Sequence, residues 1–231
     1  MSRPTLSEQA WPMDDESRRQ AQDWASGVTA QVLDWTWRAF EALHANVLSH
    51  VDMTQPLDQL ERDLTSKHFI EIQRIFVAET DGFPSIIPHH EFPENQSRPG
   101  GCGKPPASDI CFIWYANQRV TWPIEAKVVP TPGALAKYLR DVNKFTDGIA
   151  APFVGEGAQI AYLRTGTPRD FFDNLRRSAG MSSLQHSQDF PNRPHKVSAH
   201  PRNPAPDLRL HHLAMSCGPD RTLLYLSDFD S

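Results

Sequence analysis

The sequence predicts an α/β domain preceded by a helical N-terminal extension, and three observations carry that reading. Between residues 15 and 78 apolar side chains recur at spacings of three and four, the period of amphipathic helices. Two consecutive apolar segments, 109–115 (Asp-Ile-Cys-Phe-Ile-Trp-Tyr) and 120–129 (Val-Thr-Trp-Pro-Ile-Glu-Ala-Lys-Val-Val), flank a polar turn at 116–119 and read as a hairpin. After the hairpin, helical and strand patterns alternate. At 231 residues the chain holds one substantial domain rather than two of full size. The expected division is a leader and amphipathic helix at 1–53 and the α/β domain at 54–231.

Taken in order, residues 1–14 read as a disordered leader. Over 15–50 one stripe contains Trp24, Val28, Val32, Trp35, Ala39, Leu43 and Val47, flanked by Trp37 and Phe40. Such a stripe serves packing or a partner helix, including a second copy of the chain, rather than a cofactor. Pro56 opens a second helix running to residue 78, with Leu57, Leu60, Leu64, Phe69, Ile72 and Phe76 on its buried side and Glu61 near its start. Asp81-Gly82 breaks the chain; 83–92 is a short strand, and 93–106 is a loop rich in proline and glycine. The hairpin follows. Pro130-Thr131-Pro132-Gly133 then leads into a third helix at 134–147, ended by Gly148. Further on, 158–164 is a strand, 168–179 a helix, 182–206 a long mobile loop with many prolines and histidines, and 207–216 and 222–227 closing strands. There is no internal repeat.

Composition excludes several classes. No apolar run is long enough to span a bilayer and the N-terminus lacks the apolar core of a signal peptide, so a cytoplasmic chain with no membrane partner is expected. Cys102, Cys111 and Cys217 are widely spaced and outside any Cys-x-x-Cys pair, which indicates reduced thiols rather than disulfides or structural zinc. The net charge of -5 is uneven: residues 1–95 carry 7 Lys/Arg against 16 Asp/Glu, and the remainder 16 against 12. A polyanion should therefore meet the second half.

The chemistry lies in the hairpin. Side chains alternate along a strand, so Glu125 and Lys127 share a face while Ala126 points away. An even turn would set Asp109 opposite Ala126, on the wrong face; an odd turn or a bulge sets it opposite Lys127. Pro123 cannot donate to a ladder and is tolerated at edges and bulges, so the offset is expected there. Two carboxylates converging beside an ammonium suit a hard divalent cation, with Mg2+ the natural candidate and Mn2+ a substitute.

The order helix, strand, strand with Asp, strand with Glu-x-Lys, helix, strand over residues 57–164 resembles the core of the PD-(D/E)XK phosphodiesterase superfamily, the restriction endonuclease-like nucleases. That resemblance implies a mixed central sheet flanked by helices and metal-dependent hydrolysis of nucleic-acid phosphodiesters, DNA being favoured over RNA. It implies that Asp109, Glu125 and the backbone of Ala126 bind the metal, that Lys127 is the catalytic lysine, and that Glu61, with Glu71 as runner-up, completes the site. Two departures stand out: Ser108 replaces the frequent Pro before Asp, and Pro123 sits inside the third strand. Tyr138, Lys144, Phe145 and Gly148, together with Ser198-Ala199-His200 and His212-Leu213, more loosely resemble stand-alone nuclease-like proteins found beside bacterial defence genes, which implies a role in microbial defence or DNA processing.

In the third helix Lys137, Arg140 and Lys144 recur at three and four, a basic face suited to a phosphate backbone and tempered by Asp141. Arg164, Arg169, Arg176, Arg177, Arg193, Lys196, Arg202 and Arg209 are further candidates for backbone contact. Among the histidines, 89–90, 195, 200 and 211–212, none has zinc-motif spacing, and adjacent pairs on a strand point to opposite faces. The rival readings are an inert nuclease-fold scaffold acting through its acidic N-terminal helices, and a different α/β hydrolase that depends on His200 or His212. A homodimer is the expected assembly of a double-strand cutter.

Overall fold

The computed structural model describes residues 15–80, 82, 84–93, 107–178, 180–181, 183–203 and 205–218. The leader at 1–14, the body of the 93–106 loop with Cys102, and the expected strand at 222–227 lie outside the described residues.

Helix α1, Asp15–Asn46, leads through a 3-10 turn at Leu48–His50 to α2, Leu57–Glu79. The stripe read from the sequence packs within the chain: Val28, Val32, Trp35, Ala39 and Leu43 are buried, and so are Ala21, Ala25, Leu33, Trp37 and Phe40. Burial exceeds one stripe because α1 packs against both α2 and the sheet, with α2 beside it on β1–β3. His68 of α2 is enclosed, with Nε2 2.8 Å from the Thr36 carbonyl and Nδ1 2.8 Å from the Tyr162 hydroxyl. A carbonyl only accepts, so Nε2 carries the proton and Nδ1 accepts from the tyrosine.

The strands are β1 (Ile86–Pro93), β2 (Ala107–Trp114), β3 (Thr121–Val129), β4 (Glu156–Leu163), β5 (Gln185–His186), β6 (His195–His200) and β7 (Leu208–Ser216). They form one seven-stranded mixed sheet in the order β1-β2-β3-β4-β7-β6-β5. The β3–β4 and β4–β7 pairs are parallel, and parallel neighbours require crossovers. Helix α3, Ala136–Thr146, supplies the first; α4, Pro168–Arg176, with β5 and β6, supplies the second.

Alternation sorts the sheet into two faces. Phe112, Trp122, Ile124, Ile160, Tyr162 and His211 point toward α1 and α2, where the Trp122 indole donates to Thr29 Oγ1 at 2.9 Å. Glu125, Lys127, Gln159, His212 and Lys196 point toward α3 and α4. The chain is thus α/β with a mixed sheet between two helical layers, and a single cluster of buried residues runs from Ala21 to Cys217.

One element departs from expectation. The 182–206 segment, read as loop, contains β5 and β6. Its prolines flank the strand, and His195, Ser198 and His200 are buried through hydrogen bonds rather than apolar character, so no hydrophobic alternation marks it. Cys111 and Cys217 are buried thiols outside any disulfide among the described residues, and no helix among the described residues is long and apolar enough to cross a membrane.

Candidate active site

The hairpin loop decides which face Asp109 takes. Trp114 N–H donates to the Val120 carbonyl at 3.0 Å and Ile113 pairs with Thr121, which leaves 115–119 as the loop. Its odd length keeps the facing that the sequence reading required. The ladder ends at Ile110↔Ile124, and one further step sets Asp109 level with Glu125, one pair short of the Lys127 alignment expected. The offset arises in the loop and not at Pro123, which pairs with Cys111 in unbroken register. The Val120 carbonyl addresses β2, so the backbone of odd-numbered Pro123 faces the β4 side, where pairing begins only at Ile124↔Ala158. The missing N–H therefore breaks no ladder bond.

Beyond the end of the β2–β3 ladder, Asp109 Oδ2 accepts the Ala126 N–H at 2.8 Å. Lys127 Nζ lies 2.6 Å from Glu61 Oε1 and 3.2 Å from Asp141 Oδ2, while Glu61 Oε2 accepts the Val128 N–H at 3.2 Å. Lys144 Nζ lies 2.8 Å from Glu125 Oε2 and 2.8 Å from Asp141 Oδ1. Four carboxylates and two ammoniums thus interlock, with Asp141 bridging both lysines. The structure brings together Asp109, Glu125, Lys127 and Glu61. Glu71 pairs instead with Arg74 at 2.5 Å.

Burial sets the electrostatics. The Glu125 side chain is 4% exposed, and desolvation together with the Asp109 charge pushes its pKa up to about 8 despite Lys144. Asp109 and Glu61 are likewise raised by desolvation, opposed by Lys127. For Lys127 burial works against the charge, but Asp109, Glu61 and Asp141 outweigh it and hold the ammonium above its usual range. Lys127 is therefore a fixed cation, suited to hold an anion and not to act as a free base.

Asp109, Glu125 and the Ala126 peptide present hard oxygen donors, the set a magnesium or manganese ion prefers. Two desolvated carboxyls, with the Asp109 charge raising the pKa of Glu125, are also what a divalent charge would relieve. In the present arrangement the Lys144 ammonium occupies the outer oxygen of Glu125, and no group of three His, Cys, Asp or Glu side chains among the described residues is disposed around one ion.

The basic face expected on α3 is largely neutralised: Lys137 pairs with Asp58 at 2.7 Å and Lys144 with Glu125 and Asp141, leaving Arg140 exposed. Asp141 carries little signal in the sequence: its position three residues before Lys144 looks like an ordinary surface pair.

The histidines divide by face, as alternation demands. Facing α1, His211 links His195 (2.9 Å) to Glu156 (3.1 Å). Facing α3, Ser198 Oγ lies 2.7 Å from both His200 Nε2 and His212 Nε2, and His212 Nδ1 lies 2.8 Å from the Tyr138 hydroxyl. Burial, aided by His200 and His211, depresses His212 to about 3, so it is neutral. Gln159 Nε2 donates to the Tyr138 carbonyl at 2.7 Å, tying this chain to the helix that carries Asp141 and Lys144. Compared with family models, curated proteins and solved structures, the chain matches none.

Proposed function

We propose that the protein is a magnesium-dependent nuclease of the restriction endonuclease-like type, hydrolysing nucleic-acid phosphodiesters, DNA before RNA, in microbial defence or DNA processing. The observation that carries the reading is the convergence of Asp109, Glu125 and Lys127 on one sheet face, with Glu61 on the lysine. Asp109, Glu125 and the Ala126 carbonyl would hold the ion, Glu125 exchanging the Lys144 ammonium for it. A bound Mg2+ supplies Lewis-acid polarisation of a phosphodiester and lowers the pKa of an attacking water. Lys127, anchored by Glu61 and Asp141, holds the developing negative charge on phosphorus. Asp141 and Glu61 keep that ammonium charged and aimed. Lys144, released from Glu125, is then available to a strand phosphate.

The test is incubation of the purified chain with supercoiled plasmid, single-stranded DNA and RNA, in magnesium or EDTA, beside Glu125→Ala and Lys127→Ala. Cutting that needs magnesium and falls by at least about 100-fold in both variants supports the reading. Metal-dependent cutting that survives both substitutions contradicts it.

A second reading has its own observation. Because Lys144 and Lys127 already neutralise the cluster, the same residues serve an inert nuclease-fold scaffold, with the ion pairs as structural cement. Under that reading Lys144→Ala exposes no metal affinity, and the acidic N-terminal half is the working surface.

A further inference from the structure

A cavity of about 220 Å³ lies apart from the carboxylate–lysine cluster, lined by Arg169, Phe172, Asp173, Arg176 and Lys196. The first four stand on α4 at positions i, i+3, i+4 and i+7, which is one face of a helix. The fifth comes from β6, where it pairs with His212 and so points toward the same helical layer. Three cations face one acid. Asp173 sits 3.7 Å from Arg176, but neither Arg169 nor Lys196 makes a hydrogen bond or ion pair with the described residues. The Lys196 ammonium rests 5.3 Å from the Phe172 ring centroid. Burial and the neighbouring Arg176 push it below its usual range, a cost that a bound anion would remove.

The volume is below the roughly 300 Å³ at which ordinary ligand pockets begin, which suits a compact anion. Glu125, Gln159, His212 and Lys196 are register partners across β3, β4, β7 and β6, so this cavity lies three strand spacings, ~14 Å, along the sheet from Glu125. That separation corresponds to about four base steps of a duplex strand.

We propose that the Arg169–Arg176–Lys196 cavity is a phosphate subsite, holding a phosphate of the nucleic-acid strand on which the carboxylate cluster acts. Its assignment to a nucleic acid rests on the proposed function. The phosphate group is either an internal phosphodiester or a terminal monoester.

The test is fluorescence anisotropy of the full chain in EDTA, using a 3′-labelled 20-nucleotide DNA as single strand and as duplex, each with and without a 5′-phosphate. Wild type is compared with Arg169→Gln, Arg176→Gln, Lys196→Gln and, on the exposed surface of α1, Arg18→Gln. Each cavity substitution is expected to weaken binding about 3–10-fold at 100 mM salt and to reduce the salt slope by about one, with Arg18→Gln unchanged. Dependence on the 5′-phosphate assigns a terminal group, and independence an internal one; both support the subsite. Failure of wild type to bind any probe overturns it, as does affinity within twofold of wild type in all three variants. Arg169 and Arg176 are exposed, so their variants remain readable if Lys196→Gln fails to fold. Cutting by a protein whose affinity ignores the three substitutions would keep the enzyme and remove the subsite. Cavity-dependent binding by a protein that cuts nothing would do the reverse.

Discussion

Glu125 is the residue whose environment makes the sharpest demand. Its pKa in the folded chain is about 8 against an ordinary 4.5, so between those values the folded state keeps a proton that the unfolded state has lost. Stability from this group is complete below about 4.5 and is lost as pH rises through about 8. Asp109 is shifted in the same direction. His68 and His212, depressed to about 4 and about 3, act oppositely below 6.5, so the informative quantity is a difference. Thermal melts in EDTA from pH 5 to 8.5 should show wild type losing stability relative to Glu125→Gln as pH rises; parallel curves would contradict the buried-carboxyl description. At this scale much was legible. An Asp on one apolar segment and Glu-x-Lys on the next are visible as polar residues where strands want apolar ones, and Glu61 is at the start of the preceding helix. Asp141 was not legible, because a helix acid near two lysines reads as solvated until the helix is seen docked on the sheet.

Elements hold the cluster through close packing and caps. Gly157 of β4 lets α3 approach: a Cβ there would stand 2.7 Å from the Phe145 ring and 3.4 Å from the Pro123 carbonyl. Gly157→Ala is expected to destabilise by ~1–3 kcal/mol and to move α3, with Asp141 and Lys144, relative to Glu125. Thr167→Ala removes the capping box with Asp170 at the start of α4 and is expected to cost ~1 kcal/mol by chemical denaturation, leaving the cluster's chemistry intact. Equal effects of both substitutions on cleavage would argue against a positioning role for α3. The helices and the apolar strands were legible because period and caps mark them. Strands β5 and β6 were not: β5 is two exposed residues, and in β6 buried histidines and a serine satisfied by hydrogen bonds leave no hydrophobic trace.

For the whole molecule, α1 is part of the core and not an appendage to it. Trp35 packs beside Phe112, Trp37 beside His195, and Thr29 takes the Trp122 indole N–H. Deleting residues 1–53 should therefore abolish the cooperative melt and the near-ultraviolet dichroism, whereas a retained sharp transition would mark 54–231 as self-sufficient. The α/β class and its helical layers were legible from the alternation of periods. The strand order was not, because which strands become neighbours is fixed by crossovers whose paths no local pattern records. The central claim is that side chains of β2 and β3 share one cation, and titration of Mn2+ into the EDTA-stripped chain, followed by calorimetry, tests it most directly. One ion per chain is expected for wild type, lost in Asp109→Asn and Glu125→Gln and strengthened in Lys144→Ala. Mn2+ binding that is indifferent to all three substitutions, or absent from wild type and from Lys144→Ala, would contradict it.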